Sequence, residues 1–326
     1  MKRFAGFAGA ISRHLVSSFL LLLGASAIIY MTVRLAPGNA VDAITPMGTP
    51  DEIKVQLAAD FGLDKPPLQG FIQWASHAVR GDLGDSLVVA MGSRVADEAL
   101  PAYLVTLKLA GLSLFGCLVL CFLIALLSSN AHSRRPSFFE APVYALTTTP
   151  SFIMAVFLIH GINSFVRLRV DPSLAATFDW YALGQPSDSV VPLLIGGAAL
   201  IFSDGLFIDY LNSLRAELVR LKSAQFILSI KSRGASIWPH VFGNLCIPLV
   251  AGYAARLPLV LSSVVIVEKI FGIEGAGFLL IEAAKVRDLP MVVGVSLLFT
   301  VTIILATLLS NLLRVVVDPR EVARSA

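Results

Sequence analysis

The chain has 326 residues, of which 56% are hydrophobic and only 14% are charged. A soluble domain carries about 25% charged side chains, so this composition, with a mean hydropathy of +0.80, excludes a soluble globular protein and predicts an integral membrane protein. The net charge of +3 leaves no basic face to track the phosphates of a nucleic acid. The three cysteines lie in or beside apolar runs, which excludes a disulfide scaffold.

Six apolar runs are long enough to cross a hydrocarbon layer of about 30 Å, which takes about 20 helical residues. They cover residues 15–33, 109–127, 143–166, 191–211, 247–267 and 291–317. Lys2, Arg3 and Arg13 precede the first run, as in a signal peptide, but the run exceeds the usual apolar core of about 7 to 15 residues. We therefore predict an all-α integral membrane protein with six transmembrane helices, the first of them uncleaved.

Basic residues are distributed unevenly between alternate loops. Residues 1–14, 128–142, 212–246 and 314–326 hold 13 basic and four acidic residues, whereas residues 34–102, 167–190 and 268–290 hold 10 basic and 16 acidic ones. Because Lys and Arg accumulate on the cytoplasmic side, we expect both termini to be cytoplasmic. We divide the chain into the N-terminus with the first span (1–33), an external loop with short helices (34–102), a core of five spans (103–317) and a cytoplasmic tail (318–326).

The cytoplasmic loop 212–246 contains one short predicted helix, from Ala224 to Arg233. Gly234 follows it, and a residue without a Cβ suits the end of a helix. Phe226, Ile227 and Ile230 give this helix one apolar side. That side needs a surface to bury against, which is either a partner protein or the inner lipid leaflet.

Charged residues also lie inside two of the predicted spans, Asp204 and Asp209 in the fourth and Arg256 in the fifth. At about 1.5 Å per residue, Asp204 lies roughly 10 Å and Arg256 roughly 14 Å from the cytoplasmic ends of their spans. These depths allow an ion pair. They also allow Asp204 and Arg256 to line a translocation path, or one of the two to lie nearer the membrane surface.

The sequence contains no phosphate-binding loop, no zinc-protease motif and no serine nucleophile elbow. We therefore predict that the chain is not an enzyme and has no catalytic residue, cofactor or metal site. Any energy source must therefore come from an ion gradient or from a partner subunit.

Four segments, in order along nearly the whole chain, resemble the dipeptide/oligopeptide/nickel permease family of ABC importers, and in particular the first of its two permeases. The segments are Arg34-Leu-Ala-Pro-Gly, Phe61-Gly-Leu-Asp-Lys-Pro with Gly81-Asp-Leu-Gly-Asp-Ser-Leu, the cytoplasmic loop from Ala224 to Pro248, and the block from Glu268-Lys-Ile-Phe-Gly-Ile-Glu-Gly-Ala-Gly through Arg287-Asp-Leu-Pro to Asp318-Pro-Arg. The chain departs from the family pattern at Ile230, where a small Ala is usual, and at Ser232, Arg233 and Arg314.

The resemblance implies a type I importer architecture in the bacterial cytoplasmic (inner) membrane. It implies a second permease subunit, two cytoplasmic ATPase subunits that hold ATP and Mg, an extracytoplasmic substrate-binding protein and no nucleic acid as partners. It also implies a coupling helix that contacts an ATPase subunit through Ala224, Phe226, Ile227, Ile230, Lys231, Arg233, Gly234 and Ser236. Small peptides are the expected substrate, with nickel chelates, opines or glycosides as alternatives. The rival interpretation is a gradient-driven transporter or channel that uses Asp204, Asp209 and Arg256.

Overall fold

A computed structural model describes residues 2–36, 48–60, 64–127, 141–169 and 190–317, together with residues 41 and 45. Within these residues the chain is helical, and the one β-type feature is an isolated bridge between Asp85 and Arg94. The helices are α1 (Lys2–Leu35), α2 (Asp51–Asp60), α3 (Pro67–Ala78), α4 (Val95–Leu127), α5 (Ala141–Thr147), α6 (Ser151–Arg169), α7 (Val190–Ile201), α8 (Leu206–Lys222), α9 (Gln225–Ser232), α10 (Trp238–Phe271), α11 (Ala276–Val286) and α12 (Leu289–Val317). The predicted all-α fold class is confirmed.

Three of the six predicted spans overlap uninterrupted helices that are long and apolar enough to cross a membrane, although the helix of the second begins well before the predicted span. These are Val16–Leu35 in α1, Val95–Ile124 in α4 and Leu289–Asn311 in α12. The third predicted span is divided between α5 and the apolar helix α6 at the Thr-Pro stretch 147–150. The fifth lies within the 34-residue helix α10, part of whose side chains are outside the described residues. The number of six spans therefore stays a prediction.

The fourth predicted span is broken, which corrects the expectation of a continuous helix from 191 to 211. Helices α7 and α8 meet at an angle of 60° across residues 202–205. Asp204 and Gly205 have φ angles of 52° and 75°, a left-handed conformation that an α-helix does not accept. The Asp-Gly pair is a common turn signal, and within an apolar run it ends the helix.

The described packing divides the chain into two compact units. One includes the described residues among 1–7, 108–273 and 305–326, and the other those among 8–107 and 274–304. In the first unit, α10 packs against α6, α7 and α8, and α8 also contacts α5 and α9. In the second, Tyr30, Phe71 and Val293 belong to one buried cluster, against which Trp74 packs.

Candidate functional site

The predicted cytoplasmic helix is present as α9, within one residue of its expected bounds at each end. Gly234 lies two residues after Ser232, the last residue of α9, and has a φ of +68°. The Ala235 N–H donates a hydrogen bond of 3.3 Å to the Ile230 carbonyl, which is the bond that closes a helix in the Schellman motif. The glycine is therefore needed for its left-handed conformation, which residues with a Cβ avoid.

The side chains of α9 do not form one exposed apolar face. Phe226 is 44% exposed and Ile227 is completely buried within the chain, while Ile230 is half-buried. Adjacent residues are about 100° apart around a helix, so Phe226 and Ile227 point in different directions. The expectation that Ile227 faces a partner together with Phe226 is therefore corrected: Ile227 packs inside its own chain.

The other residues predicted for the coupling contact lie mostly at the surface. Arg233 and Ser236 are exposed, and Ala224 is half-buried. The Arg233 Nε donates to the Ser229 carbonyl at 3.1 Å, so its guanidinium neutralises the carboxyl end of its own helix. The side chain of Lys231 lies outside the described residues.

Asp204 connects the break between α5 and α6 with the break between α7 and α8. Its N–H donates to the Thr149 carbonyl at 3.0 Å, and the Gly205 N–H donates to the Thr147 carbonyl at 2.8 Å. The Asp204 carboxylate accepts the Ser151 N–H at 3.2 Å and the Ser263 hydroxyl at 2.7 Å. A negative group at the first N–H of α6 is favoured by the helix dipole, so Asp204 connects the ends of α6 and α8 with α10.

The structure does not bring Asp204 and Arg256 together. Arg256 precedes Ser263, the partner of Asp204, by seven residues on α10, which corresponds to about 10 Å along the helix. Its guanidinium lies 3.4 Å from the Ser213 hydroxyl and 5.3 Å from the ring centre of Tyr210. The expected ion pair is therefore not formed within the described part of this chain. The depths of Asp204 and Arg256 were calculated from the sequence along straight helices, and the break at residues 202–205 makes that calculation invalid for Asp204.

Helix α8 exposes a polar face beside Arg256. Asp209, Asn212 and Ser213 are exposed, and the Tyr144 hydroxyl donates to the Asn212 Oδ1 at 3.1 Å. The opposite face is buried through Leu206, Phe207, Tyr210, Leu211, Leu214, Leu218 and Leu221. Asp209 and Arg256 are therefore both near this polar face, while Asp204 is at the break that begins it.

Sequence reasoning missed the role of one buried carboxylate, Asp288, in the second unit. Asp288 lies in the Arg287-Asp-Leu-Pro segment and is completely buried. Its Oδ2 accepts the Ser86 hydroxyl at 2.5 Å and the N–H groups of Val88 and Val89 at 2.9 and 3.1 Å. The segment Gly81-Asp-Leu-Gly-Asp-Ser-Leu contains Ser86, so this contact connects two of the segments on which the family resemblance depends.

The same loop begins with an exposed carboxylate. The Gly84 N–H donates to the Asp82 Oδ1 at 3.0 Å, and the His77 Nδ1 lies 3.3 Å from the Oδ2. The hydrogen bond from Gly84 is the main reason why the pKa of Asp82 is lower than usual, and His77 contributes to it. Among the described residues, no group of three or more His, Cys, Asp and Glu side chains is placed to hold a metal ion.

Comparison with known proteins gives a consistent set of matches. The model of a family described as "Binding-protein-dependent transport system inner membrane component" matches residues 118–322. A protein of Brucella ovis named as a peptide permease is 25% identical over 313 residues, which are 92% of this chain and 94% of that protein. A peptide permease of Brucella suis biovar 1 is 26% identical over 316 residues, with the same coverage. The glutathione transport system permease protein of Escherichia coli K12 is 25% identical over 299 residues, 90% of this chain and 92% of that protein.

Proposed function

Because this chain belongs to the binding-protein-dependent transport system inner membrane component family, we propose that it carries small peptides across the bacterial inner membrane. Members of this family are the transmembrane permeases of ABC importers, and the chain is such a permease. The family match over residues 118–322 is the observation that carries the assignment as an importer permease. It also removes the support for the rival, a gradient-driven transporter that uses Asp204, Asp209 and Arg256.

The names of the relatives support small peptides as the substrate class. Two are named as peptide permeases, and one as a permease for glutathione, which is itself a tripeptide. Each of them aligns with nine-tenths or more of this chain. We propose a path formed between this chain and a second permease, with a binding protein that delivers the peptide from outside. Two cytoplasmic ATPase subunits would bind ATP and Mg.

We propose that α9 is the element that couples this chain to an ATPase subunit. Among the side chains of α9 that the structure describes, Phe226 is the large exposed apolar one, and an exposed phenylalanine beside a basic segment suits a groove on a partner. Arg233 and Lys231 would lie at the rim of that groove. The Schellman motif at Gly234 fixes the direction in which the chain leaves α9. A helix that transmits movement needs such a fixed connection to the next helix.

The test of coupling compares Phe226→Ala with Gln225→Ala, an exposed neighbour on the same helix. Burying a phenylalanine is worth about 1.5 to 3 kcal/mol, whereas exposed polar contacts are worth less. We expect Phe226→Ala to weaken the association with the ATPase roughly 10- to 100-fold and to uncouple ATP hydrolysis from uptake, with little effect of Gln225→Ala. The measurement is ATP hydrolysis and tripeptide uptake in liposomes that contain all subunits.

Full coupling in Phe226→Ala would contradict this role. It would favour the alternative that α9 lies on the inner leaflet, where its basic residues are attracted to anionic lipid. If the unaltered complex, with its own binding protein, takes up no small peptide, the proposed substrate class is contradicted.

A further inference from the structure

The exposed face of α8 is chemically unlike a surface that meets lipid. Helices α7 and α8 together are long and apolar enough to form a membrane span with a 60° bend. Yet Asp209, Asn212, Ser213 and Ala216 are exposed along one side of α8, at the i, i+3, i+4 and i+7 positions that share a helix face. Asp209 lies inside the predicted fourth span and Asn212, Ser213 and Ala216 follow at its cytoplasmic end, where polar and charged groups face water or protein. This side of α8 is therefore suited to a watery path.

Arg256 supplies a positive charge to this face. Its guanidinium lies over the ring of Tyr210 at 5.3 Å, a distance at which a cation is attracted to an aromatic face. Its two hydrogen bonds are long, 3.4 Å to the Ser213 hydroxyl and 3.5 Å to the Gly252 carbonyl. A guanidinium has five N–H donors, and no carboxylate among the described residues forms an ion pair with this one. Arg256 therefore keeps donors for an anionic ligand.

Asp209 supplies the opposite charge one helical turn from Ser213. It is exposed, and the Ser213 hydroxyl donates to its main-chain carbonyl at 2.6 Å, which leaves the carboxylate out of that contact. One turn corresponds to about 5.4 Å along the axis. Asp209 therefore lies about one turn from Ser213, the residue whose hydroxyl the Arg256 guanidinium contacts.

We propose that Asp209 and Arg256 form a dipolar site for a zwitterionic solute in the translocation path, with Arg256 binding a carboxylate and Asp209 an ammonium group. A short peptide with free termini has both groups. This inference depends on the proposed function, since it assumes that a small peptide passes along α8. In this proposal Arg256 does not pair with Asp204, as the sequence suggested. Arg256 and Asp209 instead each bind one terminus of the substrate.

The test measures binding at the permease itself, so that the selectivity of the binding protein does not enter. Ala216→Cys is introduced in the assembled complex, with the native cysteines replaced by serine, and the rate at which a hydrophilic maleimide modifies the new thiol is measured. The probes are tri-alanine, its C-terminal amide and its N-acetyl form. Each is tested with unaltered Arg256 and Asp209, with Arg256→Gln, with Asp209→Asn, and with the control Arg220→Gln. Arg220 lies on the same helix and already pairs with Glu217.

We expect tri-alanine to slow the modification of the thiol introduced by Ala216→Cys, and to do so at lower concentration than the amide or the acetylated form. Loss of one charge-assisted contact should raise the concentration for half-protection about tenfold. In Arg256→Gln, tri-alanine and its amide should protect equally, while the acetylated form stays weaker. In Asp209→Asn, tri-alanine and the acetylated form should become equal. Arg220→Gln should keep the unaltered order.

Three results would overturn the inference: no modification of the introduced thiol, no protection by tri-alanine, or equal losses for all three peptides in Arg256→Gln. The last would indicate that Arg256 pairs with the second permease. Tripeptide uptake by the complete complex is measured in parallel. Uptake without these selectivity changes contradicts the dipolar site alone, whereas absence of uptake contradicts the proposed function.

Discussion

Asp288 shows how a single buried carboxylate organises a long loop. It is completely buried, and its two oxygens accept the hydroxyl of Ser86 and the N–H groups of Val88, Val89 and Met291. A buried charge without partners is costly, but hydrogen bonds to a charged acceptor are about twice as strong as neutral ones. The carboxylate therefore connects the loop after α3 to the first turn of α12.

Asp288→Ala should destabilise the protein more than Ser86→Ala. The first change leaves the Ser86 hydroxyl and the N–H groups of Val88, Val89 and Met291 without their shared acceptor. Because losses within one hydrogen-bond network are not additive, we expect a total loss of roughly 3 to 5 kcal/mol. Ser86→Ala removes one donor to Asp288 and the acceptor of the Ala90 N–H, and should cost about 1 to 2 kcal/mol. Unfolding in mixed detergent micelles measures both, with the exposed Asp85→Ala as the control. Equal effects of Asp85→Ala and Asp288→Ala would contradict this account.

A double-mutant cycle distinguishes the partners of Asp204. Asp204 and Ser263 are directly hydrogen-bonded, so the effects of Asp204→Ala and Ser263→Ala on unfolding should be non-additive by about 1 kcal/mol. Asp204 and Arg256 share no described partner, so their effects should add within about 0.5 kcal/mol. The same unfolding measurement serves both cycles. A coupling larger for Arg256 than for Ser263 would restore the ion pair that the sequence suggested.

At the level of elements, the short helix α9 could be predicted from local sequence signals, whereas the breaks before α6 and α8 could be predicted only in part. Helix α9 could be predicted because a glycine and an apolar periodicity are both visible within about ten residues. The break between α5 and α6 was marked by Pro150. The break before α8 was marked by Asp204-Gly205, but this turn signal was overridden because residues 191–211 are apolar enough to be interpreted as one span. The contacts of Asp204 with Ser151 and Ser263 are 53 and 59 residues distant in sequence, and one sequence alone has no signal for such pairings.

Gly234→Val should impair the protein, because Gly234 has a φ of +68°. No atom lies within 4 Å of the position that a Cβ would take, so the effect is conformational strain and not a clash. A left-handed residue with a Cβ costs roughly 1 to 2 kcal/mol, and asparagine tolerates this conformation better. We expect Gly234→Asn to retain more coupled ATP hydrolysis than Gly234→Val. Ala235→Val is the matched control, and equal loss in all three variants would contradict the requirement for a left-handed residue.

At the level of the whole molecule, family membership and charge distribution supply different information. The family match establishes an inner-membrane permease, while the predicted side of each loop rests on the 13 basic residues in 1–14, 128–142, 212–246 and 314–326, against 10 in the alternate loops. Composition was enough to predict the membrane protein and its helical class. Composition could not predict the two compact units, because the second one joins α11 and the start of α12 to residues 8–107, far apart in sequence.

Cysteine accessibility tests the predicted orientation. Val79 is 83% exposed, in the loop predicted to be external, and Ser223 is exposed, in the segment between α8 and α9 predicted to be cytoplasmic. Gly92 is less suitable because its φ of +80° would strain a cysteine. In a background without native cysteines, a membrane-impermeant maleimide should modify Val79→Cys on intact cells and Ser223→Cys only in inside-out vesicles, because Lys and Arg are retained on the cytoplasmic side. Modification in the reverse pattern would invert the topology, and α9 would then lie on the wrong side of the membrane to contact an ATPase.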